Sequence, residues 1–257
     1  MKQYKGYLID LDGTMYLGEE PIDASVDFID TLVRKNIPYL FVTNNSTKTG
    51  EDAANKLSRM GIQAKADQIV TTSLATANYI KHQKPNATCY VIGEEGLRHA
   101  LQKSGLEVVD HEKADYVIVG LDRGVNYEKL AKACLAVRNG ATFISTNGDV
   151  ALPTERGLLP GNGSITSVIT VSTGVAPTFI GKPESVIMKE ALHIIGLSNE
   201  ETLMVGDNYE TDIKAGINAG MDTLMVFTGV TPFSEYAHLD VKPTYYVHSL
   251  REWMENI

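Results

Sequence analysis

Short apolar runs alternate along most of this chain with longer segments in which apolar residues recur at helical spacing. Runs at 6–11, 39–42 and 202–206 have the length of buried strands. The segments between the runs are long enough for a helix that crosses back over a sheet. This alternation is typical of βαβ units, and it predicts an α/β fold built on a parallel sheet.

The same periodicity predicts where individual helices begin and end. Asp23 is a candidate N-cap for a helix that continues to Lys35. Another helix is expected over 211–219. Residues 147–164 are rich in Gly, Pro and Asn, so we expect an irregular loop there, followed by a helix over 165–172.

The pattern of strands and helices restarts near residue 87, which indicates a second, smaller α/β domain within the first. We expect a core formed by residues 1–75 and 178–257, with an inserted domain at 76–177. A chain of 257 residues is long enough for two such domains, each with its own hydrophobic core.

The chain is strongly acidic. Its 23 Lys and Arg residues stand against 32 Asp and Glu residues, which gives a formal net charge of −9. The long-range field of such a protein repels phosphate backbones and anionic lipids, so neither nucleic acid polymers nor membranes are expected partners. A small anionic substrate is compatible with this charge only where a metal ion or a few local donors reverse its sign.

Cysteine usage and the first residues of the chain favour the cytoplasm. Cys89 and Cys134 are distant in sequence and lie in no Cys-x-x-Cys pair, which favours two thiols in a reducing compartment. Residues 1–12 lack the layout of a signal peptide. No stretch approaches the roughly 18 apolar residues that a membrane span requires.

The first apolar run ends in Asp10-Leu11-Asp12-Gly13-Thr14. In an open parallel sheet, ligands bind beyond the carboxyl ends of the strands, so reactive side chains are expected there. Carboxylates at i and i+2 leave a strand end on the same side, and a glycine lets the backbone pass close to a ligand. Asp10 and Asp12 are therefore candidate catalytic residues, one as nucleophile and the other as acid or base. The structural alternative is an Asx turn that caps the loop.

A polar segment, Thr43-Asn44-Asn45-Ser46, follows the second strand, about one βαβ repeat after Asp10. A hydroxyl and consecutive backbone N–H groups at the start of a helix form an anion site. Alone, such a segment is more often a capped helix start. Its place at a neighbouring strand end favours the anion site.

Two further motifs lie in the second part of the predicted core. The Gly-Lys-Pro motif at 181–183 precedes a helix, and Lys182 brings a compact positive charge to the same sheet edge. Asp207 follows an apolar run and Asp212 lies in the first turn of the next helix, an arrangement of oxygen groups that suits Mg²⁺. Taken alone, each of these two motifs would be interpreted as a solvated side chain or a helix cap. Four strand ends with complementary chemistry favour one common site.

The order of these motifs resembles that of the haloacid dehalogenase-like hydrolases: Asp-x-Asp-Gly-Thr, Thr-Asn-Asn, Gly-Lys-Pro and Gly-Asp-x-x-x-Thr-Asp. The long insertion between the second and third motifs is similar to that of the NagD branch of phosphatases. The resemblance covers the whole chain. It implies a Rossmann-like core, an inserted α/β cap domain, Mg²⁺ as cofactor, and hydrolysis of phosphate esters through an aspartyl-phosphate.

The resemblance also implies a role for each motif residue. Asp10 would be the nucleophile, while Asp12 would protonate the leaving group and then activate water. Mg²⁺ would be held by Asp10, the backbone carbonyl of Asp12, and Asp207, and Asp212 would orient Lys182 or the metal's water. The phosphoryl or ester oxygens would be bound by four side chains: Thr43, Asn44, Asn45 and Lys182.

The expected loop of the inserted domain is also similar to the NagD branch, over 147–149 and 160–163. Asn147, Asp149 and Leu152 are candidate specificity residues of this cap. Relatives specialised for pyridoxal phosphate carry a His near position 152, so Leu152 argues against that substrate. The expected partner is a small phosphorylated metabolite, a sugar phosphate or a nucleoside monophosphate, and a homodimer is one candidate assembly.

Other functions fit the same motifs. A phosphotransferase or mutase would use a sugar hydroxyl in place of water and would need a cap that excludes water. A receiver-like phospho-switch also has a strand-end Asp, Thr and Lys with Mg²⁺, but receivers are smaller and lack a second carboxylate such as Asp12. A metabolite-binding regulator with vestigial catalysis is disfavoured because every motif side chain is present.

Overall fold

The computed structural model describes residues 2–257. Its strands, in chain order, are β1 (Gly6–Ile9), β2 (Tyr16–Leu17), β3 (Glu20–Pro21), β4 (Tyr39–Thr43), β5 (Ile69–Thr71), β6 (Thr88–Ile92), β7 (Glu107–Val109), β8 (Tyr116–Val119), β9 (Thr142–Ser145), β10 (Ala151–Thr154), β11 (Gly157–Pro160), β12 (Thr178–Phe179), β13 (Thr202–Gly206), β14 (Asp222–Val226) and β15 (Tyr245–Val247).

Its α-helices are α1 (Asp23–Arg34), α2 (Gly50–Arg59), α3 (Thr72–Gln83), α4 (Glu95–Lys103), α5 (Tyr127–Arg138), α6 (Asn162–Thr173), α7 (Ser185–Ile195), α8 (Lys214–Asn218) and α9 (Leu250–Trp253). Among the residues described, no helix is both long and apolar enough to cross a membrane.

The chain folds into two compact units, each of which is discontinuous in sequence. The first unit, here the core unit, consists of 2–43, 50–70 and 182–257, and the second, here the inserted unit, of Asn44–Thr49 and Thr71–Gly181. The α/β fold with a second, smaller inserted α/β domain is thus confirmed. The division at 75/76 and 177/178 stays a prediction.

A six-stranded sheet forms the centre of the core unit, in the order β15-β14-β13-β1-β4-β5. The pairs β1–β13, β1–β4, β13–β14 and β14–β15 are parallel. Strands β1, β4 and β13 are buried at every position, as expected where helices cover both faces of a parallel sheet. The chain moves outward from β1 on one side and from β13 on the other, so the strand order reverses between them. A ligand site is expected at that point, beyond their carboxyl ends.

Helix α1 begins one residue earlier than the capping pattern predicts. Asp23 is its first helical residue, and the extended residue Ile22 occupies the N-cap without a side-chain hydrogen bond. The prediction of Asp23 as N-cap is therefore wrong. In the first turn, its carboxylate instead lies where the helix dipole favours negative charge.

The helix expected over 211–219 is also different. Tyr209–Ile213 form a π-helical turn, and only Lys214–Asn218 are α-helical. The backbone N–H groups of Asp212 and Ile213 both donate to the carbonyl of Asn208, at 2.8 and 3.3 Å. This wider turn follows directly after β13, and such turns are frequent at functional sites.

The inserted unit has its own parallel sheet, in the order β12-β9-β8-β6-β7. Its core consists of side chains from this sheet packed against α5 and α6, among them Tyr90, Val117, Ala133, Phe143 and Ile169. Helices on a parallel sheet of this kind form the α/β cap that the sequence predicts.

The Gly, Pro and Asn content of the segment 147–164 predicts an irregular loop, but part of this segment forms regular structure. It contains the antiparallel hairpin β10–β11, in which Leu152 pairs with Leu159. Helix α6 starts at Asn162, three residues before the expected start. The reason is tertiary: Asn162 Nδ2 is buried and donates to the carbonyl of Asn147 at 2.8 Å, which fixes the first turn.

Candidate active site

Asp10 lies at the carboxyl end of β1, beside the buried ammonium of Lys182. Its backbone N–H donates to the carbonyl of Val205 at 2.9 Å, so the β1–β13 ladder extends to this residue. Lys182 Nζ donates to Asp10 Oδ1 and, at 3.0 Å, to the carbonyl of Val42. Because Lys182 is 2% exposed and Asp10 is 7% exposed, the ion pair is shielded from water and the carboxylate is held in place.

Asp212 forms a second ion pair with the same ammonium. Its Oδ1 lies 2.7 Å from Lys182 Nζ. Its Oδ2 accepts a hydrogen bond from the backbone N–H of Asn208 at 3.0 Å. The π-helical turn therefore fixes Asp212 from one side and Lys182 from the other, which is a geometry suited to orienting Lys182.

Asp207 follows β13 and is fully buried. Its Oδ1 accepts a hydrogen bond from Thr14 Oγ1 at 3.0 Å, and its Oδ2 accepts one from the backbone N–H of Val230 at 2.7 Å. Gly13 has a φ of +91°, and a Cβ there would lie 2.3 Å from Asp207 Oδ2. Glycine is thus required at position 13 both by the backbone and by the close approach of this carboxylate.

The three buried carboxylates are close together around one ammonium. Asp10, Asp207 and Asp212 each place one oxygen within 4.8 Å of the others. Burial raises the pKa of Asp10 well above its ordinary value, and the nearby Asp212 carboxylate is the second cause. The same two causes, in the same order, raise the pKa of Asp207 to about 6. Burial alone would lower the pKa of Lys182, but Asp10 and Asp212 outweigh it and raise that pKa. One charged ammonium therefore faces more negative charge than it can neutralise.

This cluster fits a divalent cation of the magnesium type. Its candidate donors, as found among the described residues, are all carboxylate oxygens, which hard cations prefer. Burial and, second, the repulsion between carboxylates raise the pKa values of Asp10 and Asp207, and a divalent charge would offset that repulsion. Neither His nor Cys belongs to the cluster, so softer metals have less support.

Asp12 lies two residues after Asp10, in a different environment. Its side chain is exposed, and its Oδ2 accepts a hydrogen bond from the hydroxyl of Tyr16 at 3.1 Å. The surrounding protein removes part of its water, and this desolvation raises the pKa of Asp12. A carboxyl group that is open to solvent and has a raised pKa suits proton transfer.

The predicted anion-binding segment divides between the two units. Thr43 is buried at the end of β4 in the core unit, whereas Asn44 and Asn45 belong to the inserted unit. Asn45 Oδ1 accepts from the backbone N–H of Thr47 at 2.8 Å and from that of Lys48 at 3.3 Å. This oxygen stabilises an Asx-type turn, while a role for Asn45 toward substrate stays a prediction.

Two of the three predicted cap residues contact Asn44 within the inserted unit. Asn147 Nδ2 donates to the carbonyl of Asn44 at 2.8 Å, and Asn44 Nδ2 donates to Asp149 Oδ2 at 3.2 Å. Leu152 lies in the hairpin strand β10, where it pairs with Leu159. The structure thus brings Asn147 and Asp149 to the predicted anion segment, and the role of Leu152 in specificity stays a prediction.

Several residues that build the site are not among the predicted ones. Thr14 and the backbone N–H of Val230 bind Asp207, and Tyr16 binds Asp12. Thr14 belongs to the first motif and could have been assigned from it. Val230 acts through its backbone, so its side chain carries no signal, and the loop after β14 reaches Asp207 only through the fold.

Comparison with known proteins gives matches over the whole chain. Residues 7–107 match the family described as haloacid dehalogenase-like hydrolase, and residues 179–253 match one described as HAD-hydrolase-like. The 5'-nucleotidase YutF of Bacillus subtilis is 60% identical over 257 residues, which are all of both chains. The acid sugar phosphatase of Staphylococcus aureus is 58% identical over 252 residues, which are 98% of this chain and 97% of the relative.

Solved structures agree with these relatives. The p-nitrophenyl phosphatase from Archaeoglobus fulgidus is 37% identical, covers 100% of both chains and superimposes with a TM-score of 0.95. Together with the site geometry, the matches define the class of the protein, a phosphoric monoester hydrolase. The chain belongs to the haloacid dehalogenase-like hydrolases, in their NagD-like branch. Membership implies a divalent metal ion, for which the buried carboxylate cluster provides oxygen donors.

Proposed function

We propose that this protein is a Mg²⁺-dependent phosphatase that hydrolyses small phosphate monoesters through an aspartyl-phosphate on Asp10. The observation that carries the proposal is the buried ammonium of Lys182 between Asp10 and Asp212, with Asp207 in the same cluster. A carboxylate attacks a dianionic phosphate only where positive charge offsets their repulsion. Lys182 supplies part of that charge in a site with little water, where electrostatic stabilisation is strong.

In the first step, an oxygen of Asp10 attacks phosphorus, and the bond between phosphorus and the ester oxygen breaks. Asp12 donates its proton to the leaving alkoxide, which departs as an alcohol. Its raised pKa supports the protonated form that this step needs. Lys182 stabilises negative charge on Asp10 and on the phosphoryl oxygens.

In the second step, Asp12 acts as a base. Its carboxylate takes a proton from water, the resulting hydroxide oxygen attacks phosphorus, and the acyl phosphate bond breaks to release inorganic phosphate and the Asp10 carboxylate. Asp12 ends protonated, ready for the next substrate. One group can serve both steps because the first leaves it in the form that the second requires.

Asp10, Asp207 and the backbone carbonyl of Asp12 would hold Mg²⁺, which when bound neutralises charge and polarises the phosphoryl group. Asp212 maintains the position of Lys182 through its ion pair. Thr43 is the last residue of β4, and this position supports its proposed role in binding a phosphoryl oxygen. For Asn44 and Asn45, binding to phosphoryl or ester oxygens stays a prediction from the motif.

Relatives of nearly equal similarity support two substrate classes. One is named for nucleotides and the other for sugar phosphates, at 60% and 58% identity. We therefore propose small phosphate monoesters of both kinds as candidates. A small phosphorylated metabolite as partner, the cytoplasmic location and the candidate homodimer stay expectations from the sequence.

A panel of nucleoside 5'-monophosphates and sugar phosphates, assayed with Mg²⁺, tests the proposal. We expect release of inorganic phosphate from at least one class, with water as acceptor. A phosphorylated sugar formed in place of inorganic phosphate would establish a phosphotransferase. No turnover of any ester, in a folded protein loaded with Mg²⁺, would contradict the proposal.

A further inference from the structure

The carboxylate of Asp12 is oriented by one neighbour. Tyr16 donates its hydroxyl hydrogen to Asp12 Oδ2 at 3.1 Å, and no other side-chain hydrogen bond or ion pair holds Asp12 within residues 2–257. Asp10 is anchored quite differently, by a buried ammonium. The rotation of the Asp12 carboxyl therefore depends on the hydroxyl of Tyr16.

The backbone between these two residues fixes their separation. Gly13 N donates to the carbonyl of Tyr16 at 2.8 Å, and Asp12 and Tyr16 form an isolated β-bridge. Tyr16 then starts the short hairpin β2–β3. A turn closed by backbone contacts, over residues 12–16, thus connects the carboxylate to the hydroxyl that binds it.

The ring of Tyr16 is itself held firmly. It is 5% exposed and belongs to the main hydrophobic core of the core unit. Lys56, on α2, places its Nζ 4.1 Å from the ring centroid and donates to the carbonyl of Gly18 at 2.9 Å. A buried ring under a cation has little freedom, so its hydroxyl is a fixed point for a carboxyl group that is otherwise exposed.

We propose that Tyr16 is a positioning residue that holds the acid–base carboxyl of Asp12, and that Lys56 supports it through the ring. The inference rests on the proposed function, in which Asp12 moves the proton. With Oδ2 bound to Tyr16, Oδ1 is the oxygen available to give the proton to the leaving group and to take one from water. Orientation of this kind matters only where proton transfer limits the reaction.

The dependence on the leaving group separates positioning from a structural role. An alkyl leaving group needs a proton, whereas p-nitrophenolate leaves readily without one. We expect Tyr16→Phe, assayed with saturating Mg²⁺, to lower kcat/KM for alkyl phosphates about tenfold and for p-nitrophenyl phosphate by less than about threefold. In an Asp12→Asn background, Tyr16→Phe should add nothing to the leaving-group dependence.

Tyr39→Phe is a matched control. The hydroxyl of Tyr39 also donates a hydrogen bond within the core unit, to the carbonyl of Gln63 at 2.9 Å, but Tyr39 lies at the amino end of β4. This variant loses a comparable hydrogen bond at the end of β4 opposite to Thr43. It should leave the relative rates of alkyl and aryl esters unchanged.

A second measurement counts phosphoenzyme rather than turnover. Rapid quenching with p-nitrophenyl phosphate should show more protein phosphorylated on Asp10 in Tyr16→Phe than in the wild type, because the second step needs Asp12 as a base. If Tyr16→Phe proves unfolded by its thermal transition, Lys56→Met decides, with the same change in leaving-group dependence at smaller size. An equal reduction for every ester, or no change, in the deciding variant would overturn the inference. Absence of any phosphoenzyme on Asp10 in the wild type would instead overturn the proposed function.

Discussion

The ammonium of Lys182 contacts the carboxylate of Asp10, although 172 positions separate them in sequence. Both residues lie in the core unit, and the inserted unit occupies most of the sequence between them. Lys182 is 2% exposed, so water is largely excluded from this ion pair. The candidate active site therefore depends on a contact that only the folded chain can make, between residues far apart in sequence.

Replacing Lys182 by Met should be costly for both stability and activity. It leaves Asp10 and Asp212 buried without their cation, and removal of one partner from a buried ion pair costs about 3–5 kcal/mol. Urea unfolding without metal should show a loss of that order, and phosphatase activity should fall at least about 100-fold, as expected when charge stabilisation is lost. Lys189→Met, at an exposed position on α7, is the control and should change neither quantity.

Metal removal should abolish hydrolysis of p-nitrophenyl phosphate. Chelation takes away the charge that offsets three buried carboxylates, and Mg²⁺ should restore activity. Mg²⁺ should also raise the thermal unfolding temperature of the wild type, and raise that of Asp207→Asn much less, because binding to the folded state stabilises it. Full activity in excess chelator would refute the metal assignment.

Substitutions in the inserted unit should affect kcat/KM in two different ways. Asp149 contacts the side chain of Asn44, so Asp149→Ala should lower kcat/KM for all esters by a similar factor if Asn44 binds phosphate. Leu152 lies in the hairpin β10–β11, where it pairs with Leu159, and it is a predicted specificity residue, so Leu152→Ala should change the ranking of natural substrates by about 1–3 kcal/mol. A panel of sugar phosphates and nucleotides measures both. If Leu152→Ala changed kcat/KM by the same factor for every substrate, Leu152 would not be a specificity residue.

The stability of the inserted unit should depend on pH through Asp115. A hydrogen bond from Lys84, followed by those from Thr88, lowers the pKa of Asp115. The charged form is thus the stabilising one: its contribution is complete above the unfolded pKa of about 3.9 and disappears as pH falls through the lower folded pKa. Asp115→Asn should cost about 1 kcal/mol at pH 7, a value that allows for partial exposure.

Urea unfolding of the wild type and Asp115→Asn at pH 7 and near pH 3 measures this difference. The gap between the two proteins should narrow at the lower pH. Asp110→Asn removes an exposed ion pair with Lys132 and should have no measurable effect at either pH. A gap that is equal at both pH values would show that the carboxylate charge of Asp115 does not stabilise the fold.

The positions of the candidate site residues in the core could be predicted because each polar motif directly follows the apolar run of a strand. Asp10 and Asp207 each follow an apolar run, and parallel strands place such positions at one edge of the sheet. Buried parallel strands also leave continuous apolar runs, so a strand at 202–206 could be predicted from the sequence.

Other features could not be read from local patterns. The backbone N–H of Val230 binds Asp207 whatever its side chain is, and the π-helical turn at 209–213 depends on two N–H groups sharing the carbonyl of Asn208. The hairpin at 151–160 carries mixed apolar and turn residues, which resemble a loop. Tyr16 packs its ring in the core and donates its hydroxyl hydrogen to Asp12, and a tyrosine after the Asp-x-Asp motif does not by itself indicate that contact.

Trapping the phosphoenzyme tests the central claim most directly. Wild type and Asp12→Ala, quenched in acid during turnover of p-nitrophenyl phosphate, should carry one phosphoryl group that hydroxylamine removes and that peptide mapping places on Asp10. Asp12→Ala should accumulate more of it, because the second step lacks its base. Asp10→Asn should carry none and should have no turnover, since an amide is not a competent nucleophile. Near-normal turnover by Asp10→Asn, or a phosphoryl group on another residue, would contradict the account.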